Sequence, residues 1–202
     1  AQTDNVAVLL RMADVAYMME NYTAMSEVCD KALHLDTSNL QTYLYYAKAC
    51  RGLGEPIRAV AVLSLAIKLR EDYYAARLLR GTILLENHIL DDAAQDADYL
   101  FTHLEPNEDV LLLKARVLKA QEKMKEAEQV YGMVIEVNPF SLDAYRERYE
   151  VRTILGDAAG AAEDEASIKE MGAEVPEPSE GIEQKIKEKM QQMDPYKVFH
   201  NE

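Results

Sequence analysis

A chain of 202 residues with 36 acidic and 22 basic side chains carries a formal charge of −14, and 49% of its residues are apolar. Such a composition can build a core and excludes general disorder. The deficit of Lys and Arg excludes nonspecific DNA or RNA binding, which needs cations in excess over phosphates, and no apolar run approaches the ~20 residues of a membrane helix.

Residues 1–5 read as a short, frayed polar lead, and from Val6 onward the chain reads as pairs of short helices. The first pair (6–39) sets a helix of Leu9, Met12 and Ala16 against one of Met25, Cys29, Ala32 and Leu33, with Glu20-Asn21-Tyr22 as its turn. Its methionines predict looser packing, or contact with something N-terminal that this sequence lacks. In the second pair (40–73), Gly52-Leu53-Gly54 ends a helix rich in Tyr, Leu and Ala, and Pro56 restarts the next. Ala59, Leu63, Ala66 and Ile67 there share one buried stripe.

The third pair (74–107) combines Arg77 and Arg80 with Asp91, Asp92, Asp96 and Asp98, which predicts ion pairs on a solvated face. The fourth (108–141) faces Val110, Leu111 and Leu118 with Val130, Tyr131, Val134 and Ile135. The fifth (142–175) places Arg148, Tyr149, Arg152, Asp164 and Glu165 where the others are apolar, as expected of a terminal unit with a polar outer face. Pro176 and Pro178 mark a linker, Ile182, Ile186, Met190 and Met193 stripe a further helix near 179–193, and Tyr196, Val198 and Phe199 close an apolar tail. Ala1 in place of Met is compatible with a processed chain of the bacterial periplasm or cell envelope, or else with a cut cytoplasmic one. Cys29 and Cys50 sit among apolar positions, which favours buried reduced thiols over a disulfide or a reactive thiol.

The pairs keep one register of 34 residues: Ala59, Ala93, Ala127 and Ala161 follow Met25, and Ala13, Ala47, Gly81 and Ala115 form a second series. A third series reads Ala32, Ala66, Leu100, Val134 and Ile168. Small residues let two antiparallel helices approach closely, and larger ones fill the space to the next pair.

The stretch LQTYLYYAKACRGLGEPIRAVAVLSLAIKLREDY resembles the tetratricopeptide repeat, with matching copies over about 170 of the 202 residues. The resemblance implies an all-α, right-handed superhelical solenoid of five helix pairs (6–39, 40–73, 74–107, 108–141, 142–175). Residues 176–202 would be a linker, a C-terminal capping helix and a tail.

It also implies a concave groove lined by the first helix of each pair. The family's spacing places Ala7, Leu10, Asp14 and Tyr17 there from the first pair, and Gln41, Leu44, Lys48 and Arg51 from the second, with Tyr45 beside them. Leu78, Thr82 and Leu85 follow from the third pair, and Asp109, Leu112, Arg116 and Lys119 from the fourth. Chaperone-binding members grip a terminal carboxylate with Lys, Asn and Arg, but Leu10, Asp14, Ala75 and Leu79 occupy those places, so that clamp is absent. Lys48, Arg51, Arg116 and Lys119 admit two readings: an acidic-peptide site, or cations paired with neighbours such as Glu86 and Glu150.

No nucleophile, metal-ligand or phosphate-loop pattern is present, and His34, His88, His103 and His200 are scattered, so no catalytic residue, metal or cofactor is expected. The expected function is a non-catalytic scaffold holding a protein or peptide segment in the groove. Alternatives are a structural subunit of a self-associating or larger assembly, and a cell-envelope module binding a small molecule or glycan through Tyr17, Tyr43, Tyr45 and Tyr46.

Overall fold

A computed structural model describes residues 5–177. Its ten helices form five sequential antiparallel pairs: α1 (Val6–Met18) with α2 (Tyr22–Leu35), α3 (Leu40–Gly52) with α4 (Pro56–Leu69), and α5 (Tyr74–Glu86) with α6 (Leu90–His103). Then come α7 (Glu108–Ala120) with α8 (Met124–Val137) and α9 (Leu142–Leu155) with α10 (Ala158–Glu170). No strand occurs among the described residues. The helix expected near 179–193 lies outside them. The chain divides into two compact units, Ala1–Leu104 and Glu105–Glu202, so pairs one to three belong to unit 1 and pairs four and five to unit 2.

Local chemistry sets the helix starts. The side chains of Asn5, Asn39 and Asn107, at one position of the 34-residue register, each accept a backbone N–H of the helix they precede. Such caps satisfy amides that a helix start leaves unpaired. Asn5 is thus part of the first helical start rather than of a frayed lead. Asn21 and Asp157 cap α2 and α10 in the same way.

The turns within pairs are equally regular. Glu20, Gly54, His88, Glu122 and Gly156 are the left-handed residues there, with φ of 54°, 73°, 58°, 61° and 80°. They stand 34 residues apart, one per pair. In the sequence the two glycines and the Glu20-Asn21-Tyr22 segment mark this turn, whereas His88 and Glu122 do not.

The small-residue register holds the core. Ala13, Ala47, Ala59, Ala93 and Ala127 are fully buried. Gly52 has its own reason to be small: a Cβ there would clash with the Tyr22 ring, which packs over the end of α3. Cys29 and Cys50 are free and buried, and burial together with Cys50 pushes the Cys29 thiol up to about 12, far from a reactive thiolate.

Two polar expectations need correcting. Asp96 is not on a solvated face: it is 1% exposed and receives Arg80 through two 2.7 Å bonds, with Arg77 at 3.4 Å. Nor is Asp164 on an outer face of the fifth pair. It is buried and accepts from Arg148, with Arg152 at 3.2 Å. The reason is register: 96 and 164 are the positions that hold buried Val28, Val62 and Val130 in the other pairs. Charge at these positions suggests surface, but the arginines carry it into the core. Asp91 and Asp92 are exposed, in the first turn of α6, where the helix dipole favours them.

Candidate functional site

In unit 1 the first helices are neighbours, α1 against α3 and α3 against α5. This follows from the 34-residue register, which returns each first helix to the same side of its pair. Tyr17, near the end of α1, is 44% exposed. Leu44, Tyr45 and Lys48 of α3 and Thr82 and Leu85 of α5 are half-buried.

Lys48 is the centre of this surface. Its Nζ lies 5.4 Å from the ring centroid of Tyr17 and 5.7 Å from that of Tyr45. A cation at such distances is held by the negative faces of the rings while keeping access to solvent. Tyr22 meets Tyr17 edge-on at 6.4 Å. The Asp14 carboxylate beside the Tyr45 hydroxyl raises its pKa above the ordinary tyrosine value. Thr82 turns its hydroxyl back onto the Leu78 carbonyl at 2.8 Å.

Arg51 is engaged by its own protein. Its guanidinium makes a two-pronged contact with Glu86 of α5, one bond measuring 3.0 Å. In unit 2, Arg116 donates to Glu147 at 2.8 Å and Asp143 at 2.9 Å, and Lys119 pairs with Glu150. Tyr131, buried beneath, donates to the same Glu147 at 2.6 Å, and burial and the Glu147 charge push its pKa strongly upward.

The structure therefore gathers Tyr17, Leu44, Tyr45, Lys48, Arg51, Thr82 and Leu85 on first helices of unit 1, and Arg116 and Lys119 on α7 of unit 2. Arg51, Arg116 and Lys119 each find an acidic partner on the next first helix of their unit. Glu86 and Glu150 were nameable from sequence, because they lie near one repeat length downstream. Asp14 and Gln41 were placed on the groove by the family's spacing, whereas Asp143 and Glu147 were missed; the spacing that named Glu150 for Lys119 would have flagged Glu147 for Arg116. Leu10 and Leu112, expected on the groove, are buried. The tyrosines proposed for a small-molecule pocket part company. Tyr43 and Tyr46 belong to the core, bonded to the Thr37 carbonyl and to Arg58, while Tyr17 and Tyr45 flank Lys48. Among the described residues no His, Cys, Asp and Glu group could hold a metal, and no helix is long and apolar enough to cross a membrane.

No family model matches the sequence, and neither does any curated protein. Solved structures do. MamA (residue 41 to the end) from Desulfovibrio magneticus RS-1 is 14% identical with a TM-score of 0.76, over 83% of this chain and 94% of that one. A tetratricopeptide repeat protein from Parabacteroides merdae is 20% identical with a TM-score of 0.72, over 93% and 73%. YrrB, described as a TPR protein with an unusual peptide-binding site, is 15% identical with a TM-score of 0.67, over 92% and 93%. At these identities the likeness concerns architecture, and with the 34-residue register and five helix pairs it leads to one conclusion: the chain has the tetratricopeptide-repeat fold.

Proposed function

We propose that this protein is a non-catalytic scaffold that holds a segment of a protein partner against its first-helix surface, and that the contact centres on Lys48. The observation that carries this reading is the half-exposed cation set between Tyr17 and Tyr45. Aromatic faces with one accessible ammonium suit a segment offering a carboxylate beside an apolar side chain. The fold supports it generally, since tetratricopeptide repeats serve as protein-interaction scaffolds, and YrrB is described as having a peptide-binding site. Arg51, Arg116 and Lys119 contribute differently from Lys48: their charges are already met by Glu86, Glu147, Asp143 and Glu150, so they shape the surface and tie neighbouring first helices.

Titration of the full chain with fluorescent acidic peptides, each carrying one aromatic residue, tests the site. Binding should weaken as salt rises, because exposed charges are screened beyond about 8 Å at physiological ionic strength. The Lys48→Glu/Tyr17→Ala variant should lose binding with its circular dichroism unchanged. Retained binding in that variant, or none by the unaltered protein, overturns the reading.

A further inference from the structure

α1 carries a second apolar stripe that its own pair leaves largely exposed. Leu9, Ala13 and Ala16 face the core, whereas Val8, Met12, Val15 and Met19 are 38%, 45%, 55% and 72% exposed. The spacing i, i+4, i+7, i+11 is that of one helix face prepared to meet another helix. Beside it runs a cleft of about 650 Å³ between α1 and α2, lined by Met12, Val28, His34 and Leu35 among others.

The repeat register says what belongs on this face. One repeat later the counterparts of Val8, Met12 and Val15 are Thr42, Tyr46 and Ala49, exposed by 0%, 7% and 0%, while Leu53, the counterpart of Met19 just past the helix end, is 39% exposed. The element packed on α3 from the preceding pair is the second helix α2, and α4 and α8 stand in the same relation to α5 and α9. The stripe on α1 is therefore shaped for an amphipathic helix of the second-helix kind.

α10 is not that helix. At the positions where α2 has Tyr22, Cys29 and Leu33, α10 has Ala158, Glu165 and Lys169, the last two paired with each other. The chain continues from Glu177 to Glu202, and 179–193, outside the described residues, places Ile182, Ile186, Met190 and Met193 at helical spacing among Glu, Lys and Gln. The chain before it is held in unit 2, where Arg146 donates to the Glu174 carbonyl at 3.0 Å. Supplying the stripe in trans places no demand on how the two units of one chain are arranged.

We propose that the Val8–Met12–Val15 face of α1 receives residues 179–193 of a second copy of this chain, giving a head-to-tail contact. Light scattering on size-exclusion fractions of the full chain over a wide concentration range tests it, with circular dichroism as the check on folding. The unaltered protein should show mass above the monomer that falls on dilution. Met12→Glu/Val15→Glu should be monomeric and folded, since neither side chain is in the core. Ile186→Glu, and a chain ending at Glu177, should be monomeric as well. A monomer at every concentration overturns the proposal, as does association that persists in the Ile186→Glu variant. Peptide binding at Lys48 should survive in Met12→Glu/Val15→Glu, which separates this contact from the groove.

Discussion

Pairs two and three lie in the same unit and fill the same repeat position with opposite chemistry. Pair two has Tyr46 and Val62 where pair three has the bonded Arg80 and Asp96, and all four are largely buried. The fold therefore fixes where bulk must go and leaves open how it is made. A buried ion pair serves only if both members are present and well bonded, since each charge alone is strongly penalised. Asp96 meets that condition, with Arg80 across two bonds, Arg77 beside it, and Ser64 accepting from Arg80 at 2.9 Å. Pair five repeats the device with Arg148 and Asp164, two repeat lengths downstream.

The largest expected effect comes from breaking this pair on one side. Asp96→Ala should destabilise by about 3 kcal/mol, the low end for a buried pair because the arginine heads keep some solvent contact. The Arg80→Tyr/Asp96→Val variant installs the residues of pair two and should recover most of that loss, because apolar groups of similar volume commonly replace a buried ion pair at little cost. Urea denaturation of the three proteins measures it. A double variant no more stable than Asp96→Ala would show that pair three needs its charges for more than volume.

How far the fold was legible follows from what a period of 34 records. Size at close approaches recurs as alanine, so Ala59, Ala93 and Ala127 could be placed before any coordinates. Inward direction is recorded only where residue type betrays it, so Asp96 and Asp164 read as surface although their register positions matched valines. The groove was legible to the same extent. Position along the first helices identified Lys48 and Tyr17, but pairing depends on where long side chains reach across helices. Glu86 and Glu150 could be suspected by spacing; the influence of Asp14 on Tyr45 could not. The face of α1 was visible only as an excess of methionine.

Where the chemistry of position 62/96 is exchangeable, the size of position 59/93 is not. Ala59 and Ala93 are both fully buried three residues upstream of that exchange. Ala59→Leu should destabilise by about 1–3 kcal/mol through overpacking, and Ala127→Leu, at the same position in unit 2, by a similar amount. A melting temperature unchanged in both would mean the helices do not close on these positions.

The smallest effect sharpens the comparison at the turn. Pair two closes its first helix with Gly54 at φ 73° and pair three with His88 at φ 58°. A residue with a Cβ pays about 1–2 kcal/mol for the left-handed region, which histidine tolerates better than most. Glycine avoids that cost but loses more freedom on folding, by about 0.5–1 kcal/mol. The two terms nearly offset, so His88→Gly should stabilise by only about 0.5 kcal/mol. Gly54→Ala should destabilise by somewhat more. Nothing lies within 4 Å of a Cβ placed on Gly54, so that cost is backbone strain alone, without a clash. The two substitutions should therefore move the urea midpoint in opposite directions. Shifts of the same sign would mean that contacts of the side chain at this position, rather than its φ, decide how the turn is closed.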